Sequence, residues 1–240
     1  MIKRAFSNDE LSKLPNKGIE AQKIRALLLS YGTQYDFCRF FYSDCFVLGE
    51  MNGSYVVSEI VKEVSNSAIE ELTDFFAFNG FTEIFCSESL GKRLSEFLHR
   101  SSKIVNLMHF NSITTYVSES YIDNNPPLED VFNILKSVFD IDYETWYVDM
   151  SHRIRHNVAK VRKLNNSVLV VQYDINGEVL LSQIATSPEF QNKGNASMLI
   201  KAVCAELSDR DIFIICEDKL MPFYRKIGFD KISENSVIIK

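Results

Sequence analysis

Apolar positions along the chain change period several times, and each change predicts an element. Ile19–Ser30 repeats with helical spacing and stops near Gly32. Phe40–Glu50 and Ser54–Ile60 are strand-like and meet at Met51-Asn52-Gly53; Asn-Gly tolerates positive φ at both positions and signals a hairpin. Asn66–Phe78 predicts a helix with Ile69, Leu72, Phe75 and Phe76 on one face and a stop at Asn79-Gly80. A short strand at Phe81–Cys86, a helix at Ser89–His99 and a strand at Lys103–Val117 follow.

Asp123-Asn124-Asn125-Pro126-Pro127 disfavours helix and central strand alike, so it reads as a linker dividing the chain into 1–122 and 127–240. The second part opens with helices at Leu128–Phe139 and Glu144–His152. Three strand runs follow, Ile154–Leu164, Ser167–Ile175 and Glu178–Thr186, joined at Asn165-Asn166 and Asn176-Gly177, which predicts an antiparallel meander. Next comes a helix at Ser197–Leu207, with Leu199, Ala202, Val203 and Leu207 on one side. A buried strand at Ile212–Cys216, a short helix at Lys219–Ile227 ended by Gly228, and a strand at Ser236–Ile239 complete the order. A strand–helix–strand unit makes its two strands parallel neighbours. The fold class expected is α/β in the mixed α+β sense, with helices packed on a mixed sheet in both parts.

Composition narrows the function classes. In 240 residues, 46% are hydrophobic and the formal charge is −6, a balance that gives no general affinity for nucleic-acid backbones or anionic membranes. Five cysteines (38, 45, 86, 204 and 216) lack any C-x2-C spacing, and the four histidines include one i,i+4 pair, His152 and His156, with no ligand set around it. Reduced thiols and no metal site are expected. The start, Met-Ile-Lys-Arg, runs into polar Ser7-Asn8-Asp9-Glu10 instead of an apolar run, so cytoplasmic location is the default.

Chemistry gathers in Ile184-Ala185-Thr186-Ser187-Pro188-Glu189-Phe190-Gln191-Asn192-Lys193-Gly194-Asn195-Ala196-Ser197. A strand runs out at Thr186, Pro188 blocks its continuation, and a small-residue loop enters a helix. Main-chain N–H groups at a helix start have no partner inside the helix, and the dipole adds about half a positive charge there. That combination holds phosphate or pyrophosphate. Gly194 and Ala196 leave room for a ligand near the backbone, and Lys193 can add a charged contact. Further on, Pro222-Phe223-Tyr224-Arg225-Lys226-Ile227-Gly228-Phe229 lies on the next strand–helix unit.

Together these segments make the C-terminal half resemble the GNAT superfamily of N-acetyltransferases. Gln191 to Ala196 is similar to the family's acyl-CoA loop, Q/R-x-x-G-x-G/A, and Phe223 to Phe229 resembles its F-Y-x-K-x-G-F helix. The resemblance implies a mostly antiparallel GNAT sheet flanked by helices, with acetyl-CoA as cosubstrate. Its pantetheine would lie between splayed fourth and fifth strands, against the backbone around Ile184, Ala185 and Thr186. The pyrophosphate would sit on Gln191, Asn192, Lys193, Gly194, Asn195, Ala196 and Ser197, with Phe223 nearby and Tyr224 close to the sulfur. The first part repeats the order hairpin, helix, strand, helix, strand without such a loop between Phe41 and Thr82, so it reads as a degenerate second GNAT-like domain in tandem, without a CoA site.

The chemistry expected is attack of an amine on a thioester. A thiolate leaves whose conjugate acid titrates near 8.5 if cysteine-like, and the Tyr224 hydroxyl is suited to protonate it as general acid. The oxyanion needs a donor such as a main-chain N–H at a bulge in the fourth strand. The general base stays open among Glu217, Asp218, His152 and His156, or a water chain; where relatives often carry Asn after the fifth strand, this chain has Glu217-Asp218. Asp149–Asn157 reads either as the acceptor pocket, with Arg153 or Arg155 holding a carboxylate, or as a solvated helix end. The partner expected is a small-molecule or peptide amine, with no nucleic acid and no membrane; self-association as a homodimer stays open. A catalytically silent acyl-CoA-binding module is the alternative, and a protein using the loop for another nucleotide the third reading.

Overall fold

The computed structural model describes residues 1–111 and 122–240. These form two compact units, one of Met1–Asn106 with Ser233–Lys240 and one of Leu107–Ile232. The sequence break at Asp123–Pro127 lies inside the second unit. Asp123 bridges Lys163 through both main-chain hydrogen bonds (2.9 and 3.0 Å), and Pro127 is the residue from which the next helix starts. Proline suits that position because its missing N–H would have no helical acceptor. Among the described residues no helix is long and apolar enough to cross a membrane, and no three His, Cys, Asp or Glu side chains gather as a metal site.

In the first unit, strand β1 (Lys3–Ala5) pairs with β2 (Cys38–Tyr42), and α1 (Ile19–Tyr31) lies between them in sequence. β2, β3 (Phe46–Met51) and β4 (Ser54–Glu59) form an antiparallel meander. Phe40–Glu50 is thus two strands and not one. The Ser43 hydroxyl accepts the N–H groups of Cys45 (3.2 Å) and Phe46 (3.1 Å), which turns the chain between them. The Asn52-Gly53 hairpin forms as expected, at φ 51° and 83°. After α2 (Asn66–Asn79), β5 (Glu83–Ser87) returns parallel to β4, and α3 (Glu88–Leu98) leads to β6 (Ser102–Phe110); the part of the sequence-expected strand from 112 to Val117 lies outside the described residues.

Alternation along the meander sends successive side chains to opposite faces. Phe40 and Val47 pack with Ile24 and Leu27 of α1, while Phe41, Phe46 and Leu48 pack with Ile69 and Leu72 of α2 and Leu90 and Leu94 of α3. Gly49 lets α1 approach: a Cβ there would stand 3.3 Å from Ile24 and Leu27. Asn235–Ile239, from the end of β11 (Phe229–Ile239), lie antiparallel to β5 and complete this unit's pairing. Gly91 of α3 makes room for Ser236, whose Cβ would be only 2.1 Å from any Cβ at that position.

The second unit repeats the scheme. Helices α4 (Leu128–Leu135) and α5 (Tyr143–Arg155) precede an antiparallel meander of β7 (Lys160–Leu164), β8 (Ser167–Ile175) and β9 (Glu178–Thr186). Helix α6 (Asn195–Glu206) crosses to β10 (Asp211–Cys216), which is parallel to β9, and α7 (Met221–Ile227) leads into β11. The Asp142 carboxylate caps α5 by accepting the Thr145 N–H at 2.8 Å, and this bond holds the carboxyl below the usual carboxylate range. The helix runs past His152 to Arg155, so the strand expected from Ile154 starts only at Lys160. Ile154 belongs instead to the core under α4 and α5, where Trp146 and Met150 meet Val168, Val170 and Ala185. On the opposite face Leu199, Ile200 and Val203 of α6 and Tyr224 and Ile227 of α7 pack on Leu169, Val171, Val179 and Leu181. Each such aliphatic side chain fully removed from water contributes about 1.5–3 kcal/mol before entropy is counted.

Candidate active site

The register between β9 and β10 runs from Glu178↔Asp211 to Leu181↔Ile214 and ends there, although β9 continues to Thr186 and β10 to Cys216. The change has a visible cause. On β8, Val170 faces Ser182 and Val168 faces Ala185, so Gln183 and Ile184 stand together opposite the single residue Leu169. This is a β-bulge, and Gln183 carries its unusual backbone, with φ at 45°. An extra residue reverses the alternation beyond it. Val179 and Leu181 face the α6–α7 core and Ile184 packs against that same core, whereas Ala185 turns to the α4–α5 core.

Beyond the strand, Thr186 is tied down: its hydroxyl shares a 2.7 Å hydrogen bond with Ser167, and its carbonyl accepts the Gln191 side-chain amide at 3.2 Å. Gln191 therefore closes the loop on itself. A single 3-10 turn, Pro188–Phe190, bridges to Gln191, and Asn192 follows at φ 61°. Gln191 to Gly194 are exposed, and the Lys193 ammonium lies 4.8 Å from the Phe190 ring centroid. Gly194 is the residue before α6, left-handed at φ 82° and ψ −6°, and no side chain among the described residues caps the helix. α6 starts at Asn195, two residues before the sequence-expected Ser197, because the left-handed glycine sets the helix entry. Among the described residues a Cβ at Gly194 would meet no atom within 4 Å, so its requirement there is conformational and the space above it is open to them. Asn195, Ala196 and Ser197 form the first turn, whose N–H groups have no acceptor within the helix.

Tyr224 lies on α7 at 8% exposure, against Phe223 (5.1 Å between ring centroids) and Phe229 (6.0 Å). Burial pushes its hydroxyl up to about 12, and the neighbouring Cys216 adds to the shift. Cys216, which the sequence presents only as a core thiol, ends β10 beside it with its Sγ 3.5 Å from Met108 Sδ; burial, then Asp218 and Glu217, push that thiol up to about 11. Of the candidate bases, Glu217 pairs with Lys219 at 2.7 Å and Asp218 is exposed, both just past β10. His152 and His156 stack at 4.5 Å on the last turn of α5. Arg153 is buried and bonded to Asp149 at 2.7 Å, while Arg155 lines a cleft of about 460 Å³ with Leu128, Tyr147, Ile154 and Val161.

Two residues of this region escaped the sequence reading. Gln183 does not announce a bulge, and nothing in the sequence links it to Trp146, the chain's one tryptophan. The structure joins them: the Trp146 indole N–H donates to the Gln183 side-chain oxygen at 2.9 Å.

Residues 140–238, which hold the bulge, the loop, α6 and Tyr224, match the family described as Acetyltransferase (GNAT) domain. This segment is a GNAT domain. Solved structures extend the likeness of fold to the whole chain. A Drosophila protein is similar over 100% of this chain and 98% of its own, with a TM-score of 0.71 at 10% identity. A tandem GNAT protein from the clavulanic acid biosynthesis pathway aligns over 100% and 98%, with a TM-score of 0.63 at 8% identity. A GCN5-related N-acetyltransferase from Kribbella flavida covers 92% and 93%, with a TM-score of 0.66 at 9% identity. No curated protein sequence matches the chain. At these identities the structures speak to fold alone, and that fold is a mixed sheet, mostly antiparallel, in two GNAT-like units.

The first unit shows what a different sequence does at the corresponding place. There β4 and β5 are likewise parallel and α2 follows β4, but the start of α2 is already occupied. Ser65 accepts the Ala68 N–H at 3.2 Å, and Arg93 of α3 donates to the Val64 carbonyl (2.7 Å) and the Asn66 side chain (2.9 Å).

Proposed function

We propose that the chain is an N-acetyltransferase that moves an acetyl group from acetyl-CoA to a primary amine of a small molecule or peptide. The observation that carries this reading is the end of β9–β10 pairing at Leu181 and Ile214 together with the start of α6, beyond the loop after β9, which no side chain among the described residues caps. Acetyl-CoA, when bound, supplies the thioester. The opening between the strands offers main-chain groups around Ile184, Ala185 and Thr186 to an extended, amide-containing arm, in the manner of an added strand. The loop from Gln191 to Ser197 offers N–H groups and a helix dipole to a pyrophosphate, and the open space above Gly194 fits that role. Phe223 lies on the same helix as Tyr224, beside it in sequence.

Tyr224 acts as general acid. With its hydroxyl pushed up to about 12 it is protonated at neutral pH, and it gives that proton to the departing thiolate. The bulge N–H groups at Gln183 and Ile184 donate hydrogen bonds to the carbonyl oxygen as negative charge collects there. The amine reaches the carbonyl only after losing a proton, since an alkylammonium titrates near 10.4; water or one of Glu217, Asp218, His152 and His156 takes it. The first unit, with its α2 start occupied by Ser65 and Arg93, binds no CoA.

Calorimetric titration with acetyl-CoA, with ATP and NAD as controls, tests this. Saturable binding of acetyl-CoA alone, at one equivalent per chain, is the expected result. Binding of neither acetyl-CoA nor CoA by folded protein would leave the loop as an ordinary turn and end the reading.

A further inference from the structure

We propose that Trp146 is a positioning residue, whose indole N–H holds the Gln183 side chain and so fixes the bulge that addresses the thioester carbonyl. The inference rests on the acetyl-CoA reading above. Gln183 sits at φ 45°, a region where a Cβ meets the backbone and where glycine is the usual occupant. A side chain retained at such a position has something to hold. Here it is the Trp146 Nε1–H, 37 residues away in sequence and 2.9 Å away in space.

The donor side of this contact is rigid. Trp146 is 7% exposed, its ring lies 5.7 Å from that of Phe132, and both belong to the core formed with Leu135, Met150 and Val168. A buried indole N–H needs an acceptor, and the Gln183 amide oxygen is the one provided. The acceptor side sits on the residue whose backbone makes the bulge, at the point where β9 parts from β10. The contact thus fixes a local backbone conformation to a packed helix. Donors aimed at a developing charge stabilise it only when held in place beforehand.

Neither the pantetheine arm nor the pyrophosphate would meet the bulge donors through Gln183; only the acyl carbonyl would. The clamp therefore acts on the difference between acetyl-CoA and CoA. One main-chain hydrogen bond to that carbonyl corresponds to about a 3- to 10-fold preference for acetyl-CoA. The experiment is calorimetric titration of wild type, Gln183→Met, Gln183→Glu and Trp146→Phe with acetyl-CoA and with CoA. Expected are a preference for acetyl-CoA in wild type, its loss in Gln183→Met and Trp146→Phe with CoA affinity within about twofold, and its retention in Gln183→Glu, whose carboxylate still accepts from the indole. Should Gln183→Met fail to fold, Trp146→Phe, which keeps an aromatic ring in that core, carries the comparison. Preference retained without the indole N–H, or no preference in wild type, overturns the inference. Wild type that binds neither ligand removes the acetyl-CoA reading itself, and the clamp's role with it.

Discussion

Gly194→Ala separates two demands that a glycine in a ligand loop normally combines. The residue is left-handed at φ 82°, and a Cβ added there touches no atom of the described residues within 4 Å. Steric overlap with the described residues is therefore absent, and the cost is that of placing an L side chain in the left-handed region, about 1–2 kcal/mol. Asparagine tolerates that region better, so Gly194→Asn falls between glycine and alanine, and Gly194→Val falls below alanine. Urea unfolding of the ligand-free protein reads this order, with the midpoint moving at unchanged slope. Binding follows a different order. The side chain projects into the space proposed for the pyrophosphate, so Ala and Asn both weaken acetyl-CoA, and Asn, being larger, weakens it at least as much as Ala. Stability ranks Asn above Ala while affinity does not. If Gly194→Ala unfolds at the wild-type urea midpoint and binds acetyl-CoA unchanged, the argument from backbone and open space is wrong on both counts.

Tyr224→Phe lowers kcat by roughly 10- to 100-fold with little change in acetyl-CoA affinity, measured by steady-state kinetics beside calorimetry; unchanged turnover removes the residue from the mechanism. The same pair reports on burial. A phenol raised from 10 to about 12 on folding stabilises the fold fully below pH 10 and loses that contribution as pH rises through 12. Wild type therefore loses on the order of 2 kcal/mol more than Tyr224→Phe between pH 9 and 12, read by denaturant titration at each pH; parallel loss refutes the buried-phenol reading. In the first unit, Ser65→Ala removes the α2 cap and costs about 1 kcal/mol by urea unfolding, and a loss within 0.2 kcal/mol of zero shows that the cap carries nothing.

Much of the fold was legible because its turns are chemically explicit. Asn52-Gly53 and Asn176-Gly177 both adopt positive φ and join the strands they were expected to join. The parallel β9–β10 pair follows from strand–helix–strand order, and the loop around Gly194 from small residues at a helix start. What stayed hidden depended on side-chain partners distant in sequence. The Ser43 turn splits a run that periodicity reads as one strand, because a hydroxyl bonds two N–H groups that alternation takes no account of. Nothing in Leu180–Thr186 marks Gln183 as the bulge, since its stabilising donor lies on α5. The Asp123–Pro127 segment signals a linker by composition alone, and composition does not show that its two end residues are engaged: Asp123 bridges Lys163 and Pro127 precedes α4.

The pairing of β5 with the end of β11 sets a schedule for biosynthesis. Asn235 donates to the Cys86 carbonyl at 3.2 Å and to Glu20 at 2.6 Å, across 149 and 215 residues. A ribosome that has released α1 through α3 has not yet made the strand those elements pair with. At typical elongation rates of about 5–20 residues per second, the edge of β5 waits on the order of ten seconds for its partner. During that wait it is an open β-edge, the kind of surface that recruits strands from other chains. The first unit, although synthesised first, is finished last.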